Sequence, residues 1–198
     1  MLPSKFYPLV DDIKWIEKFL PLGVKFIQLR LKEKPKRELN QQIRDALQLG
    51  KEHKAEIVIN DYWDIAINEH AKWVHLGQTD LDQADISEIK NAGLKFGTSS
   101  HDHRELDRVM RLKPDYVALG PIFQTVSKKM VMPAQGLERL TEWKILLDGI
   151  DLVGIGGVTL EKAKSVLRYG ADAVSCIGDV LLHETPEERV QEWLKNLA

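Results

Sequence analysis

The sequence predicts an α/β fold, a single-domain (β/α)8 TIM barrel over residues 1–198, and three observations carry that reading. Eight short, β-branched-rich runs are apolar almost without interruption, as expected of parallel strands covered on both faces. Longer segments with apolar residues at helical spacing separate them, and eight such alternations in one domain match a closed barrel. Polar residues collect directly after the runs, at the end where barrels build their sites. A doubly wound open sheet is the structural alternative, but no Gly-x-Gly-x-x-Gly turn follows the first run.

In chain order, the first run is Phe6–Val10. A helix over Asp12–Leu20 follows, with Ile13, Ile16 and Leu20 on one face, flanked by Trp15 and Phe19. Gly23 stops it, where a left-handed cap is cheapest, and Val24–Arg30 is the second strand. Leu39, Ile43, Ala46 and Leu47 form the face of the next helix, before strand Glu56–Asn60. The third helix must be brief, because Trp73–Gly77 is already the fourth strand. Gly93 precedes the fifth, Lys95–Ser99, and the sixth is Tyr116–Gly120. Residues 124–136 carry no periodicity, two lysines and a Pro, and read as a flexible active-site loop. Leu152–Gly156 and, after Gly170, Ala173–Ile177 complete the eight strands. Val190, Trp193, Leu194 and Leu197 face inward on the last helix. Trp15, Trp63 and Trp73 read as packing residues too, and His53, His70, His103 and His183 as surface.

Composition excludes several classes. Lys and Arg number 28 against 30 Asp and Glu, a net charge of −2 that advertises neither nucleic acid nor an anionic membrane as partner. No apolar run approaches the roughly 20 residues that span a bilayer. The start, Met1–Lys5, resembles neither a signal nor a transit peptide. The lone Cys176 rules out an internal disulfide and a Cys-based zinc site, so a cytoplasmic location is expected. Homo-oligomerisation is left open, since outer helices can self-associate without a signature.

The strand ends sort into a chemistry. Gln28, Arg30 and Lys32 alternate and can face one side. Asn60 and Asp61 end strand three; His75, Gln78 and Asp80 follow strand four; Ser99, Ser100 and His101 follow strand five. Asp61 and Asp80 are hard oxygen donors on adjacent strands, the usual protein share of a Mg2+ site that also takes water and substrate phosphate. Arg30, Lys32 and Lys128 supply fixed positive charge for a diphosphate. Gly156-Gly157 and the Gly178 turn offer backbone N–H groups where barrels commonly hold a phosphate. No activated nucleophile is evident, and Cys176 sits inside an apolar strand.

Gln28-Leu29-Arg30-x-Lys32, Ile59-Asn60-Asp61-Tyr62-Trp63 and His75-Leu76-Gly77-Gln78-Thr79-Asp80-Leu81 resemble successive motifs of the thiamine phosphate synthase family. Gly97-Thr98-Ser99-Ser100-His101, the stretch Ala118 to Lys128, Gln135-Gly136-Leu137 and Gly154-Ile155-Gly156-Gly157-Val158 extend the resemblance over nearly the whole chain. It implies a transferase that joins 4-amino-2-methyl-5-hydroxymethylpyrimidine diphosphate to 4-methyl-5-(2-hydroxyethyl)thiazole phosphate, yielding thiamine phosphate and diphosphate by dissociative substitution. It further implies that Gln28, Arg30, Lys32, Asn60 and Lys128 hold the pyrimidine diphosphate and that Asp61 and Asp80 hold Mg2+. Ser99, Lys128 and Arg30 would act at the reacting end. Thr125 and Ser127, with Gly157, Ile177 and Gly178, would take the thiazole phosphate.

The chain departs from the family pattern at three places. Ser127 stands where Thr is usual and keeps the hydroxyl; Thr98 replaces an aliphatic residue. Ile177-Gly178-Asp179 replaces the usual Val-Ser-Ala. An Asp179 facing the phosphate would cost on the order of 4 kcal/mol at about 4 Å and an effective dielectric near 20. Two other readings follow: a thiazole tautomerase, which needs no metal or diphosphate site, and a paralogue that binds thiamine intermediates without turnover.

Overall fold

The computed structural model describes residues 1–32, 34–125 and 133–197. Its strands are β1 (Phe6–Val10), β2 (Phe26–Leu29), β3 (Glu56–Asn60), β4 (Trp73–Leu76), β5 (Lys95–Ser100), β6 (Tyr116–Leu119), β7 (Asp151–Ile155) and β8 (Ala173–Cys176). All pair in parallel and in chain order, and β8 pairs back onto β1 to close the barrel. The helices among the described residues are α1 (Ile13–Phe19), α2 (Lys36–His53), α3 (Trp63–Asn68), α4 (Gln78–Leu81), α5 (Ile86–Asn91), α6 (His103–Leu112), α7 (Glu138–Leu146), α8 (Leu160–Arg168), α9 (Gly178–Leu181) and α10 (Pro186–Leu197).

The elements follow the sequence reading, with local corrections. Pairing in β2 begins at Phe26 rather than Val24, because the turn at Gly23 (φ 107°) sends the Val24 N–H back to the Phe19 carbonyl. The strand also stops at Leu29, and Arg30 donates its N–H to Val10. β7 runs one residue earlier at each end than expected, since Gly156 at φ 93° cannot continue a strand. β5 extends one residue, to Ser100, while β4, β6 and β8 each end one residue early. Two single-turn helices, α4 and α9, occupy stretches expected to be plain loops. The short third helix holds, and α1 is capped by the Asp12 carboxylate, which accepts from the Lys14 N–H at 3.0 Å. Of the four histidines read as surface, His70, His103 and His183 are exposed and His53 is partly buried.

The core has two shells. Outward strand residues pack against Ile16, Phe19, Ile43, Trp143, Val166, Trp193 and other helical side chains. Inside the barrel, Tyr7, Phe26, Val58, Trp73, Tyr116, Ala118, Val153 and Ala173 form a separate cluster. Tyr7 stacks on Phe26, with ring centroids 4.3 Å apart, and Tyr116 meets Tyr7 edge-on at 5.8 Å.

Gly97 makes room for this filling. A Cβ there would sit inside the Tyr116 ring, a clash with a rigid group whose neighbours are themselves fully buried. Gly97→Ala is therefore expected to lose about 3 kcal/mol in urea unfolding, the upper range for overpacking a closed core. An unchanged midpoint would show that the ring can move aside.

Candidate active site

Side chains alternate along a strand, so the residue two places beyond each barrel-filling residue lies one layer higher on the same face. Phe26 leads to Gln28, Val58 to Asn60, Trp73 to His75, Gly97 to Ser99 and Val153 to Ile155. All five upper residues line one cavity of about 710 Å³ at the C-terminal ends of the strands. The aromatic cluster is its floor.

On one side, Gln28 is buried, Arg30 half-buried and Lys32 exposed, and all three line the cavity as their alternation required. Asn60 is 5% exposed. Asp61 takes a left-handed φ of 68° and donates its N–H to the His75 carbonyl at 2.9 Å. That twist turns its side chain toward Asp80 on α4, whose carboxylate lies close enough to act on it. Burial raises the Asp61 pKa, the charge of Asp80 raises it further, and Lys32 and Arg30 pull it back. Two oxygen-donor groups thus face each other at close range, flanked by cations.

The described residues contain no group of three His, Cys, Asp or Glu able to hold a metal. A pair of carboxylates with room for water and phosphate oxygens still suits Mg2+, which rarely takes an all-protein cage. The donor set therefore fits that ion.

Ser99 lies between the two halves. Its Oγ is 3.0 Å from His75 Nε2, and its carbonyl accepts from Gln78 Nε2 at 2.6 Å. On the far side, Gly156 and Gly157 have φ of 93° and 63°. Gly157 presses against the Phe123 and Gln124 carbonyls so closely that a Cβ would overlap them. Thr125, Ile177 and Gly178 complete this wall.

Ser127 and Lys128 lie outside the described residues, as does most of the 124–136 loop. The far end of that loop is pinned: Gln135 N–H donates to Pro121 at 2.8 Å, Gly136 N–H to Ile122 at 3.1 Å, and Gln135 Nε2 to His101 at 2.9 Å.

Asp179 resolves the alternative posed by the sequence. Its carboxylate accepts from Arg189 Nε and Nη2, each at 2.9 Å, and from Trp193 Nε1 at 2.7 Å. The charge is turned toward α10 and paired there, although Asp179 is also among the residues that line the cavity. Arg189 also binds Glu161 and Glu192, and the carboxylates around it hold its pKa above the ordinary value.

Several contributors escaped the sequence reading. Tyr7 and Tyr116 read as core residues, yet their hydroxyls lie under the site. Inward register within an otherwise apolar run was the available signal. Lys162, on the first turn of α8, lines the cavity with its Nζ 4.6 Å over the Phe123 ring. Its place just after Gly-Gly could have marked it.

Comparisons with known proteins agree with this geometry. The family model for thiamine monophosphate synthase matches residues 5–180. The thiamine-phosphate synthase of Rhizobium etli is 44% identical over 193 residues, covering 98% of this chain and 95% of that protein. The enzyme of the same name from Proteus mirabilis is 44% identical over 174 residues, covering 88% and 81%. The solved thiamine phosphate pyrophosphorylase from Pyrococcus furiosus superposes with a TM-score of 0.85 at 27% identity, covering 98% and 95%. A solved 3-hexulose-6-phosphate synthase, at 16% identity and TM-score 0.71, shares the fold.

Proposed function

The chain belongs to the thiamine monophosphate synthase family, and from that premise we propose how its barrel mouth joins a pyrimidine diphosphate to a thiazole phosphate. It is a transferase. The observation that carries the site assignment is the Asp61–Asp80 pair flanked by Arg30 and Lys32, across the cavity from Gly156 and Gly157. A tautomerase acting on the thiazole alone would have no use for that first half.

Arg30 and Lys32 bind the diphosphate as fixed cations. Beneath them, Gln28 Oε1 and Asn60 Nδ2 are buried without a partner among the described residues, an acceptor and a donor suited to a polar ring. Mg2+, held by Asp61 and Asp80, would neutralise the leaving diphosphate. The C–O bond to the pyrimidine methylene breaks, and its electron pair leaves with diphosphate. The thiazole nitrogen then donates its own pair to the methylene cation. No protein nucleophile is required, and Cys176 offers none, since burial pushes its thiol well above the ordinary range. Ser99 stands at the reacting end, and Thr125, Gly157, Ile177 and Gly178 take the thiazole phosphate; Ser127 would join them there, and Lys128 would join Arg30 and Lys32 on the diphosphate. No helix among the described residues is long and apolar enough to cross a membrane.

The test is diphosphate release by the purified protein, omitting each substrate and Mg2+ in turn. Release should require all three, with thiamine phosphate formed in equal amount. Thiamine phosphate binding without any release would instead favour a non-catalytic paralogue.

A further inference from the structure

Five polar groups form an unbroken row beneath the cavity. Gln28 Nε2 donates to Tyr7 Oη at 2.7 Å, and Tyr7 Oη lies 2.7 Å from Tyr116 Oη. Tyr116 Oη lies 2.8 Å from His75 Nδ1, and His75 Nε2 is 3.0 Å from Ser99 Oγ. Every member but Tyr116 lines the cavity, the two ends, Gln28 and Ser99, included. The proposed chemistry uses these ends and not the three groups between them.

Hydrogen counting gives the row a direction. Burial raises both phenol pKa values, so each tyrosine carries one hydrogen. With Tyr7 accepting from Gln28, its hydrogen can be satisfied within the row only on Tyr116. The Tyr116 hydrogen then goes to His75 Nδ1. Any other order leaves a buried hydroxyl hydrogen without an acceptor in the row, which costs free energy. Neutral His75 must therefore carry its proton on Nε2 and donate it to Ser99. The Ser99 hydrogen is left for the cavity. Turning the Gln28 amide over would reverse every hydrogen in the row: Ser99 would donate to His75 and show the cavity a lone pair.

We propose that this row is a polarity relay in which the face Gln28 turns to a ligand fixes, through four hydrogen bonds, whether Ser99 offers that ligand a hydrogen or a lone pair. His75 is its positioning residue. Resting on the functional reading above, the inferred direction suits a ligand with an amino group at Gln28 Oε1 and an ester or phosphate oxygen at Ser99. An aminopyrimidine diphosphate has both. The opposite polarity would set two lone pairs against each other at the oxygen that must accept negative charge.

The relay is tested on the whole protein labelled with 15N-histidine, with the His75 signals assigned by their loss in His75→Gln. The expected spectrum shows His75 protonated on Nε2 and bare on Nδ1. In Tyr116→Phe this single tautomer should be lost, and kcat for diphosphate release should fall at least about tenfold with the KM for thiazole phosphate unchanged. A wild-type His75 protonated on Nδ1 would overturn the direction assigned to the row whether or not the variant folds. A folded Tyr116→Phe that keeps the single tautomer or the wild-type kcat would overturn the relay itself. Wild-type protein that releases no diphosphate would sink the functional reading instead, and the tautomer would still decide the direction of the row.

Discussion

Asp80→Asn should lower Mg2+-dependent diphosphate release at least about 100-fold, while leaving the metal-free protein no less stable than before. The two halves of that expectation have one cause. Burial raises the Asp61 pKa, and the like charge of Asp80 beside it at the cavity wall raises it further despite Lys32 and Arg30. A raised carboxyl pKa means that the folded state binds a proton more readily than the unfolded chain does. Stability from this group is thus greatest in acid and falls as pH rises past the ordinary value of 3.8. Replacing one carboxylate removes the repulsion, so at neutral pH the metal-free variant should gain about 1 kcal/mol, or about 2–4 °C in Tm. The gain should vanish below pH 3.8, where the pair is no longer doubly charged. Added Mg2+ should raise the Tm of the parent protein and not of the variant. Scanning calorimetry across pH, beside the diphosphate assay, checks both halves; a variant that keeps its metal response removes Asp80 from the site.

Arg189→Met should cost about 3 kcal/mol in urea unfolding and also raise the KM for thiazole phosphate. Arg189 is the two-pronged partner of Asp179, and both side chains are largely buried, 11% and 9% exposed. Removing the cation strands a buried carboxylate beside the turn at Ile177–Gly178. The carboxylate then keeps only the Trp193 N–H and an unneutralised charge, or swings toward the cavity, where it opposes an incoming phosphate. The KM for the pyrimidine diphosphate, bound on the opposite wall, should hardly change. Adding Asp179→Asn to the variant should recover most of both losses, because the stranded charge is gone. Equal loss for both substrates, or no recovery in the double variant, would mean that Arg189 acts only as packing.

The barrel was legible because its determinants are local and repetitive: eight apolar runs, helical faces between them, and glycines at Gly23, Gly93 and Gly170 that do adopt left-handed φ. Much of the site was legible for the same reason. Period-two alternation fixes Gln28, Arg30 and Lys32 to one face, and Asp61 and Asp80 follow neighbouring strands that a parallel barrel must pair. What stayed hidden depends on pairings that no window of sequence contains. Arg189 reads as one more basic residue on an amphipathic helix until α10 folds beside α9. Tyr7 and Tyr116 lie 109 residues apart and look like core, so their shared hydrogen bond cannot be seen before the barrel closes. Turn-level detail, such as the single-turn α4 that carries Asp80, spans too few residues to leave a periodic trace.

The notch at Gly97 also bears on how this sequence can drift. A larger residue there demands that position 116 shrink first, but a smaller residue at 116 deletes the phenol that Tyr7 and His75 share. Either single change is therefore selected against while the other residue stands, one through folding and one through turnover. The pair should behave as a single inherited unit: lineages in which β5 gains a side chain at this position are expected to have rebuilt the polar row by other means.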